Sequence, residues 1–493
     1  MKKMMRYVLM AVAVAGLSAC DADFLDLTDP DTFDVTKYYK SAQDLEDALT
    51  AAYEATRTFY NQMYYVTEMK SDNATTTNVG DSGGLYSTFV THQVNSNNTI
   101  VINLWNGLYN CIYKSNLVLA HADEVRMDGK RREALKAEAK FLRALSHFYL
   151  VRLFGPVPVV EKVVETTGEA KAAKRQPESE VYASIKRDLE DVALCEELSP
   201  VFTGDSLGRA SRTAGAALLG KVYVTEAAAL GHPEYYGEAV KWLEKACELT
   251  GMDVLPTAYP SVFGVNNENN EELIFQCMYL SNPTEYSTFA SDFQPYGQVG
   301  LLSQKTGRGC NLGEENLYNE FESGDRRKAT CITRTADGSN YYTKKYTDLS
   351  TSTGMGGNNW IELRFADVFL LLAEAHERLN HVSEAVHYLD LVRTRHGALK
   401  GYEESCLTKP EYLQKYPTLR DAIFHERRVE LCFENQRWFD LRRLYPNANQ
   451  LAAYMNSVGT GLKYSGFKSY ESLLPIPYDE NLFNSNLYQN EGY

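Results

Sequence analysis

Apolar and small residues recur at helical spacing, in paired segments, along most of this chain, and that repetition restricts its fold more than any other feature. Near the end, Phe369, Leu372, Ala373, His376, Ala385, Leu389 and Val392 fall where a tetratricopeptide repeat places its packing residues. Leu219, Gly220 and Tyr223, then Ala239, Leu243 and Ala246, give a second copy, with seven extra residues expected around Gly231-His232-Pro233. Small residues at such positions let paired helices approach, and large ones fill the groove between them. Asn103 to His121, with Trp105, Leu108, Ile112, Leu117 and Leu119 apolar, reads as one further helix. Arg131 to Phe154 reads as its antiparallel partner, stopped by Gly155-Pro156-Val157-Pro158. The expected fold is mostly α: helix-turn-helix repeats forming a scaffold, with long irregular loops and a few short strands. Residues 71–100, 256–310 and 335–360 are rich in Gly, Asn, Ser and Thr, and loops of that length in a compact body usually carry function.

The first residues are an address. Lys2, Lys3 and Arg6 precede an apolar run, Tyr7 to Leu17, which has signal-peptide length and is too short to span a bilayer. Leu17-Ser18-Ala19-Cys20 looks like a bacterial lipobox, so residues 1–19 are expected to be removed and Cys20 to carry a diacylglyceryl anchor. Cleavage leaves 474 of the 493 residues and, with three cations gone, takes the net charge from −15 to −18. Asp21, Asp23, Asp26, Asp29 and Asp31 make residues 20–36 a solvated tether. The remaining body divides into an N-terminal region, 37–255, and a C-terminal region, 256–493. A mean hydropathy of −0.38 and the lack of a second long apolar run exclude a polytopic helical membrane protein. The acidic balance excludes a nucleic-acid partner, which needs a basic footprint.

Eight cysteines follow Cys20 without a CxxC pair, and no zinc site is visible. Cys111, Cys247 and Cys432 lie in helical apolar patterns, while Cys310 and Cys331 are left open as a disulfide pair. His376-Glu377 followed by His381 resembles HExxH with one residue too many; at 100° per residue the two imidazoles stand about 140° apart on a helix and cannot share a zinc ion.

The catalytic patterns fail on the same kind of geometry. Gly80-Asp81-Ser82-Gly83-Gly84 matches a serine-protease nucleophile motif, yet no His precedes His92 and no strand–turn–helix context surrounds Ser82. Glu426 and Glu430 have the i,i+4 spacing of a carboxylate pair, but Arg427, Arg428 and Arg437 crowd the segment. Neighbouring guanidinium groups lower carboxylate pKa values, which disqualifies a general acid and points to an ion-pair network. No catalytic residue and no cofactor are expected.

Binding is the remaining reading. Of the four tryptophans, Trp105, Trp242 and Trp438 lie in helical stripes and belong to the core. Trp360 follows the loop Gly354-Met355-Gly356-Gly357-Asn358-Asn359. An indole beside Asn358 and Asn359 would offer a flat apolar face next to amide groups, the combination sugars require. Asp72, Asn73, Tyr86, Tyr286 and Tyr296 are further candidates in the long loops.

An ordered set of motifs resembles the SusD/RagB family of Bacteroidota outer-membrane lipoproteins. It runs from Cys20 and Phe24-Leu25-Asp26-Leu27 through Trp105, Tyr109, Ile112 and Asn116, Ala137-Glu138-Ala139-Lys140-Phe141-Leu142-Arg143-Ala144, Leu218-Leu219-Gly220-Lys221-Val222-Tyr223 and Gly324-Asp325-Arg326-Arg327. Lys345-Tyr346, Leu363-Arg364-Phe365-Ala366-Asp367, Val392-Arg393-Thr394-Arg395, Ile423 to Arg443, Leu474-Pro475-Ile476-Pro477 and the end at Tyr493 complete it. The resemblance implies a lipid-anchored helical body on the outer face of the outer membrane. It further implies a lid on a TonB-dependent β-barrel transporter of the SusC type, to which the protein delivers a glycan or, in some members, a peptide. A repeat scaffold with no small ligand is the remaining alternative. The family's ligand residues sit in variable loops, so none is carried over.

Overall fold

The computed structural model describes residues 39–77, 84–296, 307–348, 355–458 and 466–493. The lipobox, Cys20, the tether, residues 37 and 38, and Gly80 to Gly83 lie outside the described residues.

The longer helices are α1 (Ala42–Val66), α2 (Thr99–His121), α3 (Gly129–Phe154), α4 (Glu178–Leu194), α5 (Arg212–Leu230), α6 (Tyr235–Thr250), α7 (Phe365–Arg378), α8 (Val382–Arg393), α9 (Leu419–Glu430), α10 (Arg437–Leu444) and α11 (Ala448–Ser457). Local chemistry sets many of their ends. Ser41 with Asp44 and Thr418 with Asp421 form capping boxes, and Asn98, Asp128 and Ser211 accept hydrogen bonds from first-turn N–H groups. Gly231 and Gly251 end α5 and α6 in the left-handed conformation.

From α1 to α8 each helix packs on the next, and α9 packs on α7. A connection of only residues 122–128 between the packed helices α2 and α3 makes them antiparallel, as the periodicity predicts. However, α2 also packs on α1, so the array is continuous rather than a set of separate pairs. The α5–α6 repeat differs from expectation in one respect. Its extra residues form no insertion: the turn is residues 231–234, and most of them lengthen α5, which has 19 residues against 14 in α7. A Cβ at Gly220 would stand 2.5 Å from Leu243 Cγ on α6, which is why that position is glycine. From Phe141 to its end α3 is buried on every side, including Arg143 and Arg152, and Glu138 in its first half is buried as well.

Two small sheets attach the loops. β1 (Ala74–Thr75), β3 (Leu312–Gly313), β5 (Tyr341–Tyr342) and β4 (Thr333–Arg334) lie in that order, antiparallel. β2 (Leu273–Cys277) pairs antiparallel with β6 (Trp360–Arg364), Cys277 opposite Trp360, with two register shifts. Thus the stretches 256–310 and 335–360, expected as loops, contain two strands, β2 and β5, and the start of β6.

The arginine-rich motifs form a buried ion network. Glu426 pairs with Arg327 and Arg393; Glu430 pairs with Arg364, Arg395 and Arg327. Burial opposes the charge on Glu430, yet these guanidinium groups hold its carboxyl far below the ordinary range. The partners of the two glutamates are therefore not their neighbours in sequence. Arg427 instead serves Asp367 and Asp440, and Arg428 and Arg437 serve Asp72. Among the described residues none of the eight cysteines forms a disulfide; Cys331 Sγ lies 2.9 Å from the Tyr259 hydroxyl.

Candidate ligand-binding cleft

The sequence-derived candidates separate into two groups. Trp360 is fully buried: its indole stacks on Tyr346 (5.3 Å between centroids, 10° between planes) and contacts Phe289 and Tyr60. It opens β6 beneath the loop rather than standing at a loop mouth, so it plugs the core and offers no platform. Asn358 and Asn359 are buried beside it, and Asn359 Oδ1 accepts the Tyr279 N–H at 2.8 Å. Asp72 and Asn73 are buried as well: Asp72 is held by Arg437 and the Tyr454 hydroxyl, and Asn73 Oδ1 accepts from Arg428. All five residues are buried, and Trp360, Asn359, Asp72 and Asn73 have structural partners, which corrects their reading as exposed binding groups.

Tyr86 and Tyr286, by contrast, line one open cleft of about 420 Å³. Its floor comes from α1, where Asn61 and Gln62 meet Tyr65 through i,i+4 and i,i+3 spacing. The first turn of α2 adds Thr99 and Asn103. Tyr65 and Tyr86 stack with centroids 5.0 Å and planes 9° apart, making a double aromatic wall. Arg308 completes it: its Nη2 donates to the Tyr86 hydroxyl at 3.1 Å, and its Nη1 lies 2.9 Å from Asp292 Oδ1. The Tyr64 hydroxyl donates to Asp292 Oδ2 at 2.7 Å. Burial pushes the Asp292 carboxyl upward, against the pull of Arg308 and Tyr64; burial also opposes the charge on Arg308, but Asp292 with Cys310, Tyr65 and Tyr64 together overcome it and hold Arg308 firmly as a cation. Arg308 still keeps 38% of its side chain exposed at the cleft. Tyr296 is 76% exposed and bridges to Gly307, next to Arg308, without lining the cleft.

Sequence reading missed Tyr65 and Arg308. Tyr65 looks like one more tyrosine at a helix end. Arg308 did carry a signal, because Gly307 and Gly309 flank it: a Cβ at Gly307 would stand 2.1 Å from the Gln294 carbonyl oxygen, and Gly309 has φ +65. Glycines on both sides of an arginine in a polar loop mark a backbone pressed against its neighbour to aim that cation.

A second cavity, of about 400 Å³, lies between α9 and α11. Its charged lining is spoken for: Arg428 and Lys415 on Glu320, Arg437 on Asp72. The cleft at Tyr86 is the better candidate because an exposed cation, two stacked rings and side-chain amides converge there.

A helical-repeat scaffold presenting an aromatic and amide-lined cleft on its loops defines a ligand-binding class of protein. Comparison with known families is consistent with this: the SusD family model matches residues 271–493, and a model described as starch-binding associating with outer membrane matches residues 23–224. The chain belongs to the SusD/RagB family, whose members associate with the outer membrane. It is 27% identical to SusD-like protein P2 of Formosa agariphila, with 99% of each chain covered. It is 28% identical to a SusD-like protein of Bacteroides ovatus, covering 90% of this chain and 83% of that one. Among solved structures it resembles a laminarin-binding SusD-like protein, with TM-score 0.75, 25% identity, and 92% of this chain and 100% of that one covered.

Proposed function

We propose that the protein binds an oligosaccharide or polysaccharide in the Tyr86 cleft and hands it to a SusC-like TonB-dependent transporter. In this reading a lipid on Cys20 holds the body at the outer face of the outer membrane. The observation that carries it is the Tyr65–Tyr86 stack beside the Arg308–Asp292 pair. Sugar CH faces pack on aromatic rings while hydroxyl pairs need planar, bidentate groups, and guanidinium and carboxamides supply them. The laminarin-binding relative puts a β-glucan first among ligands to try. Binding rather than hydrolysis is supported by the fate of Glu426 and Glu430, whose oxygens are committed to arginines in the core.

Native affinity electrophoresis of the soluble chain starting after Cys20 tests this, through gels containing laminarin and a panel of plant, host and microbial polysaccharides. Retardation by one glycan, lost in Tyr86→Ala, is expected. Retardation that survives both Tyr86→Ala and Arg308→Met would move the site elsewhere; no retardation by any glycan would overturn the reading.

A further inference from the structure

The chain leaves α7 by a turn that brings two histidines together. Asn380 adopts the left-handed conformation (φ 61), the His381 N–H bonds the His376 carbonyl at 2.9 Å, and the Asn380 N–H bonds that of Glu377 at 3.0 Å. This is the Schellman arrangement, which sets the side chain after the left-handed residue against the one five positions earlier. Those two positions commonly hold apolar residues; here both are imidazoles. His376 Nδ1 and His381 Nδ1 lie 3.3 Å apart. The expectation that they diverge fails because it assumes a continuous helix, and the helix ends at Arg378.

We propose that His376 and His381 form a two-histidine site for a zinc-class divalent cation at the turn between α7 and α8. Two Zn–N bonds of about 2.0–2.1 Å at a tetrahedral angle separate the nitrogens by about 3.3 Å, so the observed spacing is the bite of such an ion. The ring of His376 is oriented in advance by stacking on Tyr388, with centroids 5.6 Å and planes 8° apart. His381 is exposed, which leaves a path for the ion and room for water to complete its coordination. In the metal-free state one imidazole donates Nδ1–H to the other. Binding moves that proton to the far nitrogen of the same ring, so both Nδ1 lone pairs meet the ion. Among the described residues no third His, Cys, Asp or Glu joins the pair in a metal-holding group, so affinity rests on these two rings.

The site is independent of the Tyr86 cleft, and its test needs no glycan. ZnCl2 is titrated calorimetrically, in a non-chelating buffer, into the untagged soluble chain and its His381→Ala variant. Alanine keeps the backbone N–H that closes the turn, and the side chain it replaces is exposed, so the fold is retained. One-to-one binding in the parent chain, lost in His381→Ala and kept in His232→Ala, is expected, together with a zinc-dependent rise in melting temperature confined to chains that retain His381. Equal zinc binding by the parent and His381→Ala, or none by either, would overturn the proposal.

Discussion

Trp360 and Tyr346 lie nearly parallel, 5.3 Å apart, with neither ring reaching solvent. The pair joins β6 to the segment after β5. Trp360→Ala should therefore act as a core truncation and cost about 3–5 kcal/mol, with a matching fall in the denaturation midpoint. Glycan affinity measured well below the melting temperature should stay close to that of the parent chain.

Tyr86 is half-buried, stacked on Tyr65 and hydrogen-bonded by Arg308 at the cleft wall. Tyr86→Ala should weaken glycan binding about three- to tenfold, the worth of one aromatic contact, with little change in melting temperature. Isothermal titration with the glycan identified by electrophoresis gives both numbers from one preparation.

Glu430 is the hub of three guanidinium groups. Glu430→Gln leaves Arg364 and Arg395 buried with one carboxylate fewer, and losses of about 3–5 kcal/mol follow when one partner of a buried ion pair is removed. Urea denaturation should show this as a lower midpoint with an unchanged slope.

Gly220→Ala places a methyl group 2.5 Å from Leu243 Cγ and 3.1 Å from the Leu243 nitrogen. α5 and α6 must then separate, at a cost of about 1–3 kcal/mol. Because the backbone atom of Leu243 cannot rotate away, combining it with Leu243→Ala should recover only part of the loss.

Glu68 is buried, and burial lifts its carboxyl to about 7 although the Asn435 N–H stabilises its charge. A carboxyl raised in the fold favours the folded state most below its ordinary value near 4.5, and that advantage is lost as pH climbs through 7. Glu68→Gln removes the dependence. The melting temperature of the variant relative to the parent chain should rise between pH 5 and pH 8; a flat difference would mean that Glu68 is already charged in the fold.

The helices were legible because their packing is local: Trp105, Leu108 and Ile112 repeat within one element, and Gly155 marks its neighbour's end, although that neighbour starts at Gly129, two residues before the Arg131 expected. The fate of Trp360 was not. β6 is buried along its whole length, so its five residues lack the alternation of a surface strand, and its partner β2 lies more than eighty residues earlier. In the same way, Asp72 reads as a loop carboxylate until Arg437 is folded against it. The cleft was half legible. Tyr86 and Tyr286 announce themselves as aromatic residues in polar loops, whereas Tyr65 becomes a wall only once Tyr86 covers it.

Asp72 and Arg428 are 356 positions apart in the chain, and Asp72 and Arg437 are 365 apart. In a chain emerging from its N-terminus, Asp72 must wait for nearly all the rest before its charge can be matched. The two halves that separate family models recognise thus share one buried ion cluster. A fragment ending near residue 224 would lack every partner of the Asp72 carboxylate, because Arg428, Arg437 and Tyr454 all lie beyond it. Closing so large a loop costs chain entropy, and contacts so distant in sequence slow folding, so the charge on Asp72 is matched only when the last helices dock.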